Sequence, residues 1–328
     1  MPTLTGTLNR RSSCRDKEIQ DLGMALSVRN KPMKSKAAKI RELLKRPGLL
    51  LMPCCFDALS AKLIERAGFA LTFMSGFAVS ATRLGLPDTG LISYGEMVDQ
   101  GRNICSAVTI PVIGDGDTGY GNAMNVRRTL QGYAGAGFGG IMIEDQVAPK
   151  RCGHTRGKQV VSREEAVARI RAAVDARETA AIDIVIIART DSRSSHGLEE
   201  ALWRMQAFED CGADILFLEA PRSEDEMRRF CTTLQGIKMA NMIEQGKTPF
   251  IAPQRLEEIG YKIAAYPLTL LNAGVFAMQQ ALAALKNGSQ AEGLLDFSVL
   301  QEIVGFNDYY EVEKRYGHNA DHPSDEPR

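Results

Sequence analysis

The sequence predicts an α/β protein folded as a single (β/α)8 barrel of the TIM type, because eight short apolar runs alternate with amphipathic segments from residue 36 onward. The runs recur about every 27 residues, the length of one strand and one helix in such a barrel. Most have Ile, Leu and Val at consecutive positions, as is typical of parallel strands buried on both faces. The predicted strands are Leu49–Pro53, Leu71–Ser75, Ile110–Asp115, Gly140–Asp145, Ile184–Asp191, Ile215–Ala220, Ile237–Asn241 and Lys262–Tyr266.

Helices are predicted between these strands, since apolar residues recur there at helical spacing. Ser162 and Glu165 form a capping-box pattern at one helix start, and Gly68, Gly137 and Gly212 stand where glycine commonly ends a helix. The predicted helices are Asp57–Ala67, Tyr94–Ala107, Ala123–Ala136, Ser162–Glu178, Leu198–Cys211, Glu224–Leu234 and Leu268–Lys286.

Two further helical patterns, 291–304 and 305–316, follow the eighth unit, so we expect one domain over residues 36–316. Residues 1–35 are expected to form a disordered N-terminal extension, because they are polar, mildly basic and without a regular apolar pattern. Residues 317–328 are expected to be a disordered tail.

The composition argues against nucleic-acid and membrane partners and favours a small-molecule substrate. The chain has 40 basic and 40 acidic residues, so no net charge attracts nucleic acid or an anionic membrane. No apolar run approaches the roughly 20 residues that a membrane span needs. The 7 cysteines are an odd number without zinc-type pairing, which favours reduced thiols in the cytoplasm. Organellar import through residues 1–32 is a less favoured alternative, because that stretch contains acidic residues.

Polar and ionisable residues gather at the carboxyl ends of the predicted strands. In a parallel barrel this is the face that carries the active site. Ordinary helix N-caps would explain any one of these residues, but they explain Arg and Glu poorly. The strand ends read Ser75-Gly76, Asp115-Gly116-Asp117, Glu144-Asp145, Arg189-Thr190-Asp191, Glu219 and Asn241.

Asp115 and Asp117 flank a single glycine at the end of the third strand, so both carboxylates can converge on one point. Paired carboxylates without nearby Cys or His ligands favour a hard cation, Mg²⁺ or Mn²⁺. Glu144, at the end of the next strand, is a natural third group. A glycine-rich turn without a metal is the alternative.

The connection over residues 146–161 is longer than the 2–6 residues that are common between strand and helix, which favours a lid. Cys152 stands among five cationic or titratable neighbours, and such neighbours lower a thiol pKa and make the cysteine reactive. Taken alone, a basic loop with one cysteine is most often simply solvated. The neighbours are Lys150, Arg151, His154, Arg156 and Lys158.

These segments resemble the lyase branch of the isocitrate lyase/phosphoenolpyruvate mutase superfamily over roughly residues 36–316. The resemblance is carried by Leu84-Gly-Leu-Pro-Asp88, Asp115-Gly-Asp-Thr-Gly-Tyr-Gly121, Lys150-Arg-Cys-Gly-His154 and Ala188-Arg-Thr-Asp191. Ala240-Asn-Met-Ile-Glu-Gln-Gly-Lys-Thr-Pro249 further resembles the group of 2,3-dimethylmalate lyase, petal death protein and oxaloacetate hydrolase.

The resemblance implies a Mg²⁺-dependent barrel whose eighth helix is exchanged between subunits, in homodimers that pair into homotetramers. It implies catalytic roles for Cys152, Lys150 and His154, with Cys152 as the proton donor. The implied metal site consists of Asp115, Asp117, Glu144 and Asp88. The implied substrate site consists of Ser75, Gly76, Phe77, Gly153, Arg189, Glu219 and Asn241.

Two residues depart from the pattern of methylisocitrate lyases. The resemblance implies that those enzymes have a tyrosine at the position of Phe73. It also implies that they have an arginine, which binds a third carboxylate, near the position of Asn272. The departures disfavour a tricarboxylate substrate. The cysteine motif disfavours phosphonate mutase chemistry, because the resemblance implies that the mutases lack it.

We therefore expect a Mg²⁺-dependent carbon–carbon lyase that cleaves a 2-hydroxy dicarboxylate, such as a 2-alkylmalate, to a 2-oxo acid and a carboxylic acid. Cys152 would protonate the departing enolate. The alternatives are an oxaloacetate hydrolase or decarboxylase on the same scaffold, then a methylisocitrate lyase or phosphonate mutase. A non-catalytic metabolite-binding protein is the least favoured, because Asp115, Asp117, Cys152 and Arg189 are all present.

Overall fold

The computed structural model describes residues 34–153 and 157–316. Eight parallel strands form a closed barrel in sequence order, with β1 pairing with β8 through Leu50 and Ile263, which confirms the predicted fold class. The strands are β1 Leu50–Cys55, β2 Thr72–Met74, β3 Val112–Asp115, β4 Gly140–Glu144, β5 Val185–Thr190, β6 Ile215–Leu218, β7 Ile237–Asn241 and β8 Ile263–Tyr266. Of the segments expected to be disordered, 1–35 and 317–328, residues 1–33 and 317–328 lie outside the described residues.

Helices surround this barrel, and every predicted helix is found with shifts of at most one residue at its ends, except that the helix predicted over 291–304 begins only at Phe297. The helices are Lys36–Lys45, Ala58–Arg66, Gly76–Val79, Tyr94–Ala107, Ala123–Ala136, Arg163–Thr179, Arg193–His196, Leu198–Asp210, Glu224–Thr233, Pro253–Ile259, Thr269–Lys286, Phe297–Val304 and Phe306–Tyr316, with a π-helical turn at Ser80–Leu84. The pattern did not predict Pro253–Ile259, because seven residues are too few to show helical periodicity.

The helix Lys36–Lys45, also not predicted, lies at the amino-terminal end of the strands. Its buried residues Ile40 and Leu44 belong to the same apolar cluster as the barrel interior. Lys36 Nζ donates hydrogen bonds to the carbonyls of Val108 and Ile110, each at 3.2 Å, just before β3. This helix therefore covers one end of the barrel, and the opposite end carries the strand-terminal polar residues.

The apolar core has two layers, as expected for a barrel. Side chains such as Met52, Ile113 and Phe217 fill the interior, while residues such as Ile141 and Leu216 pack outward against the helices. Both layers are almost completely buried. The strands are therefore held rigidly, which fixes the direction of the side chains at their ends.

One local prediction is only half right. The Ser162 side chain accepts a hydrogen bond from the Glu165 backbone N–H at 3.2 Å, as in a capping box. The reciprocal bond is replaced, since the Glu165 carboxylate pairs with Arg169 at 2.7 Å. Arg169 in turn donates to the carbonyls of Glu144 and Gln146, at 3.3 and 2.8 Å. Because the Glu165 carboxylate pairs with Arg169, it does not complete the capping box at Ser162.

None of the residues in the last three helices, Thr269–Lys286, Phe297–Val304 and Phe306–Tyr316, is buried. Phe276 and Phe297 expose 62% and 72% of their surface, which is unusual for large apolar side chains. An apolar groove of about 550 Å³ lies beside the helix Ala58–Arg66, where Leu59, Leu63 and Phe69 face Tyr266. Among the described residues, no helix has the length and apolar character that crossing a membrane requires.

Candidate active site

The carboxyl ends of the strands surround a small cavity of about 60 Å³. Ten of the predicted site residues line it: Ser75, Phe77, Asp88, Asp115, Lys150, Cys152, Gly153, Arg189, Glu219 and Asn241. Gly76, Asp117 and Glu144 lie directly behind this lining, in contact with Asp115, Lys150 and Arg189 respectively. His154 lies outside the described residues. The structure therefore brings together residues that are far apart in the sequence.

Ser75 and Gly76 form the turn between β2 and the helix Gly76–Val79. The Ser75 side chain accepts a hydrogen bond from the N–H of Ala78 at 3.3 Å, which starts the helix. The Gly76 N–H donates to Asp115 Oδ2 at 3.2 Å. A Cβ at Gly76 would stand 2.6 Å from that oxygen, so only glycine allows the two strand ends to approach this closely.

Asp115 and Asp117 follow β3 in a tight turn. The Asp117 N–H donates to Asp115 Oδ1 at 3.1 Å, and the Tyr133 hydroxyl donates to the Asp115 carbonyl at 2.6 Å. Asp117 has a φ of 47°, a left-handed conformation that costs energy for a residue with a side chain. The Glu144 N–H donates to the Asp117 carbonyl at 2.9 Å, which helps to hold this conformation.

Lys150 reaches into these carboxylates from the connection after β4. Its Nζ lies 2.6 Å from Asp88 Oδ1 and 2.9 Å from Asp117 Oδ1, and all three side chains are buried. Burial opposes the charge of the ammonium group, but Asp117 and Asp88 raise the pKa of Lys150 well above its usual value. Lys150 is therefore a fixed positive charge and a poor proton donor at neutral pH.

The carboxylates near Lys150 have more negative charge than one ammonium group can neutralise. Burial raises the pKa of Asp117 to about 7, even though Lys150 acts in the opposite direction. Burial likewise raises the pKa of Glu144 well above its usual value. Such shifts indicate buried acids whose cationic neighbours do not fully offset the effect of burial.

The residues around Asp115 fit a hard divalent cation by the chemistry of their donors. In residues 34–153 and 157–316, no three acidic, His or Cys side chains already stand in the geometry of a metal site. Asp88, Asp115, Asp117 and Glu144 nevertheless supply only oxygen atoms, which Mg²⁺ prefers. Within the same residues, the buried Oε1 of Glu144 has no hydrogen-bond partner. This atom is available to a metal ion or to one of its waters.

Arg189, on β5, is held by three carboxylates. Its guanidinium group donates to both oxygens of Asp191, at 2.8 and 3.0 Å. It also lies 3.3 Å from Glu144 Oε2 and 3.2 Å from Glu219 Oε2. Asn241 Nδ2 donates to the same Glu219 oxygen at 3.4 Å. The guanidinium group is thus held in one orientation beside the cavity.

The connection after β4 begins and ends as a short antiparallel ribbon. The Val147 N–H donates to the Gln159 carbonyl and the Val161 N–H to the Asp145 carbonyl, both at 2.9 Å. The Gln146 side chain accepts from the Arg151 N–H at 2.9 Å and donates to the Arg151 carbonyl at 2.8 Å. This pair of hydrogen bonds fixes the backbone next to Cys152.

Cys152 and Gly153 extend from this ribbon over the cavity. A Cβ at Gly153 would lie 2.5 Å from Arg189 Nη2 and 2.6 Å from Glu219 Cδ, so the backbone passes directly above both residues. Burial, Lys158 and Arg222 lower the pKa of Lys247, whereas Cys152 raises it, which places a further cation in the surroundings of the thiol. The described part of the connection therefore covers the site.

Sequence reasoning missed several residues of the site. Lys247 and the apolar lining residues Met142, Ile243, Pro267 and Leu268 were not predicted to take part. Lys247 had a sequence signal, since it lies within the motif that follows β7. Asn272 is not in the lining of the main cavity. It lies on a neighbouring cavity of about 230 Å³, which shares Phe77, Ile243 and Leu268 with the first.

A closed (β/α)8 barrel with ionisable side chains gathered around a cavity at the carboxyl ends of its strands is typical of enzymes. The family model named phosphoenolpyruvate phosphomutase matches residues 40–286. The chain belongs to this family, the phosphoenolpyruvate mutase/isocitrate lyase superfamily.

Two curated relatives match nearly the whole described domain. The chain is 44% identical to 2,3-dimethylmalate lyase of Eubacterium barkeri, over 85% of this chain and 98% of the relative. It is 42% identical to carboxyvinyl-carboxyphosphonate phosphorylmutase, chloroplastic, of Arabidopsis thaliana, over 85% of this chain and 84% of the relative.

Solved structures of several activities share the fold. Oxaloacetate acetylhydrolase with 3,3-difluorooxalacetate superposes with a TM-score of 0.83 at 34% identity, over 87% of this chain and 98% of that chain. A 2,3-dimethylmalate lyase superposes with a TM-score of 0.83 at 36% identity, over 88% and 98%. Phosphonopyruvate hydrolase with oxalate and Mg²⁺ superposes with a TM-score of 0.77 at 29% identity, over 86% and 99%.

Proposed function

We propose that this enzyme is a Mg²⁺-dependent carbon–carbon lyase that cleaves a 2-hydroxy dicarboxylate, such as a 2-alkylmalate, to a 2-oxo acid and a carboxylic acid. The observation that carries the proposal is the position of Cys152, which lines the same small cavity as Asp115 and Arg189. A proton donor, an anion-binding cation and an oxygen-rich cluster then face one substrate. The similarity to 2,3-dimethylmalate lyase supports the same class of reaction.

Asp115, Asp117, Glu144 and Asp88 would hold the metal ion or its waters. When bound, Mg²⁺ would polarise the oxygen at C2 of the substrate as a Lewis acid. The charge of the site supports this assignment, because burial raises the pKa of Asp117 to about 7 and a divalent cation would relieve that excess of negative charge. The superposed phosphonopyruvate hydrolase structure contains oxalate together with Mg²⁺.

Arg189 would pair with a carboxylate of the substrate, since the buried guanidinium group lines the cavity and is already held in place. The turn at Ser75, Gly76 and Phe77 would hold further substrate oxygens. Glu219 would support Arg189, with Asn241 as a further contact. Lys150 would keep the acidic cluster in place as a fixed charge.

Cleavage begins when a general base takes the proton of the C2 hydroxyl group, and the C2 oxygen forms a carbonyl with C2. The C2–C3 bond then breaks, and its electron pair remains on C3 as the enolate of the departing acid. The Cys152 thiol donates its proton to C3, which releases a carboxylic acid and leaves a thiolate. Lys150, Arg151 and Gly153 help to close the cavity around this step, so that bulk water does not compete for the enolate.

Oxaloacetate hydrolysis or decarboxylation is the second candidate, favoured by the equal TM-score of 0.83 to oxaloacetate acetylhydrolase. The test is a panel of 2-alkylmalates, oxaloacetate, isocitrate and methylisocitrate with Mg²⁺, scored by product mass. A 2-oxo acid with a carboxylic acid from an alkylmalate supports the lyase. Oxalate with acetate identifies a hydrolase, and pyruvate with CO₂ a decarboxylase. No product from any of these substrates would contradict both the lyase and the hydrolase or decarboxylase, and would leave phosphonate mutase chemistry or metabolite binding.

We also propose that Thr269–Lys286 is exchanged between subunits, in homodimers that pair into homotetramers. The exposed apolar residues of this helix and the apolar groove beside Ala58–Arg66 support the exchange, because each needs a cover of similar chemistry. Replacing Phe276 and Leu282 with glutamate should reduce the mass measured by light scattering to that of a smaller species. An unchanged mass would contradict the exchange.

We propose a cytoplasmic location, with organellar import through residues 1–32 as the alternative. The alternative is supported by the name of the Arabidopsis relative, which is chloroplastic. Fluorescent fusions of the full chain and of residues 34–328 distinguish the two. An organellar signal that disappears with residues 1–33 would identify import.

A further inference from the structure

Asp191 makes two hydrogen bonds with Arg189. It is the only one of the three carboxylates around Arg189, among the described residues, that bonds both to Nε and to Nη2, at 2.8 and 3.0 Å. Two parallel N–H···O bonds fix the plane of a guanidinium group, whereas single contacts do not. The Asp191 side chain is completely buried, so water does not compete for these bonds.

A charge problem follows from this arrangement. Glu144, Glu219 and Asp191 all lie within 3.3 Å of Arg189, and carboxylates that outnumber the single guanidinium group weaken its attraction for an anionic substrate. Lys158 changes the balance. Its Nζ lies 2.7 Å from Asp191 Oδ1, and its side chain is only 2% exposed. Asp191 can therefore orient the arginine while its own charge is neutralised by the lysine.

Buried hydrogen bonds connect Asp191 to the chain segment that contains Lys158. The Asp191 N–H donates to Asp145 Oδ1 at 2.9 Å, and Arg204 donates to Asp145 Oδ2 at 3.0 Å. Arg204 also donates to the Val161 carbonyl at 2.9 Å, three residues beyond Lys158. Because one arginine binds both sides, the distance between Lys158 and Asp191 is fixed by buried contacts.

We propose that Asp191 and Lys158 are a positioning pair for substrate binding. Asp191 orients the Arg189 guanidinium group, and Lys158 neutralises Asp191 so that Arg189 still attracts the carboxylate of the substrate. Neither residue contacts the substrate itself. The inference rests on the proposed function, since it takes Arg189 as the group that binds the carboxylate.

The test compares Lys158→Met, Lys158→Arg and Asp191→Asn with the wild type in the full-length, Mg²⁺-loaded protein. Oxalate serves as the binding probe in calorimetry, and the best substrate of the panel gives KM and kcat. Lys158→Met and Asp191→Asn should each raise KM and the oxalate Kd about tenfold, with a much smaller change in kcat, because the ground-state carboxylate contact is weakened. Lys158→Arg should restore most of the affinity. The exposed Lys45 lies at the other end of the barrel, so Lys45→Met is the matched control and should change nothing.

The outcomes separate this inference from the proposed function. A loss confined to kcat, with unchanged KM and oxalate Kd, would overturn the pair. Equal losses of affinity in Lys158→Met and Lys158→Arg would also overturn it. The arginine variant keeps the positive charge, so the proposed neutralisation of Asp191 predicts a smaller loss there. If Lys158→Met does not fold, the oxalate Kd of Asp191→Asn and Lys158→Arg decides. A wild type that binds oxalate but cleaves no alkylmalate refutes the lyase, while the Kd ratios still test the pair. A wild type that cleaves an alkylmalate but binds no oxalate supports the lyase, and the KM values of the variants then decide the pair.

Discussion

Two charged clusters contribute side chains to the lining of the active-site cavity, and they differ in how their charges are balanced. In the aspartate cluster (Asp88, Asp115, Asp117 and Lys150), three carboxylates share one ammonium group. In the arginine cluster (Arg189, Asp191, Lys158 and Glu219), two carboxylates meet two cations.

The pKa shifts reflect this difference. Burial raises the pKa of Asp117 to about 7, because Lys150 alone does not offset the burial and the neighbouring aspartates. Against the effect of burial, Arg189 and Lys158 lower the pKa of Asp191. The aspartate cluster is therefore suited to an additional cation, and the arginine cluster to an anion. Glu144 connects the two, since both Arg189 and Lys150 act on its pKa.

Metal removal tests the aspartate cluster most directly. We expect EDTA to abolish turnover and Mg²⁺ or Mn²⁺ to restore it, with Zn²⁺ restoring it poorly, because the donors are all oxygen atoms. Asp117→Ala should be inactive but folded, as judged by circular dichroism. Asp210→Ala, which removes an exposed carboxylate elsewhere, is the control. Full turnover by metal-stripped protein would contradict the assignment of this cluster.

Replacement of Cys152 tests the chemistry that takes place between the clusters. Cys152→Ser should lower kcat about 10²–10⁴-fold, since a hydroxyl group is a much weaker acid than a thiol. The oxalate Kd should change little, because the two clusters hold the bound acid. Steady-state kinetics and calorimetry measure both, with Cys211→Ser as the control. Near-normal turnover would make Cys152 a packing residue and favour decarboxylation.

Substrate charge sharpens the comparison from the side of the arginine cluster. Asn272, which lines the neighbouring cavity, carries no positive charge that could bind a third carboxylate. We expect kcat/KM for isocitrate and methylisocitrate to be at least about tenfold below that of the best dicarboxylate, equal to about 1.4 kcal/mol. Efficient cleavage of methylisocitrate would show that another cation binds the third carboxylate.

Thiol reactivity gives the smallest expected effect. Burial raises the pKa of the Cys55, Cys105 and Cys231 thiols to about 12, so they remain protonated at neutral pH. Iodoacetamide should therefore modify Cys152 faster than these three, and bound oxalate with Mg²⁺ should slow the reaction. Peptide mass spectrometry against time measures the rates. Faster modification of Cys55, Cys105 or Cys231 would contradict the prediction that Cys152 is the most reactive of these thiols.

Much of the fold was predictable because its signals are local. Consecutive branched apolar residues mark the strands, and the polar residues that follow them must lie at one end of a parallel barrel. The helix Lys36–Lys45 was missed although Ile40 and Leu44 carry helical spacing. Its role in covering the barrel depends on contacts with residues more than seventy positions away, such as the carbonyl of Ile110.

The sequence by itself determined the barrel, the strand order and the group of residues at the carboxyl ends of the strands, because strand polarity and period do not depend on distant contacts. Only the tertiary structure decided which cation neutralises which carboxylate. Lys150 and Lys158 lie on one loop, yet Lys150 pairs with Asp88 and Asp117, while Lys158 pairs with Asp191, 33 residues further along the chain. These partners are set by buried hydrogen bonds across the barrel end, and no local pattern encodes them.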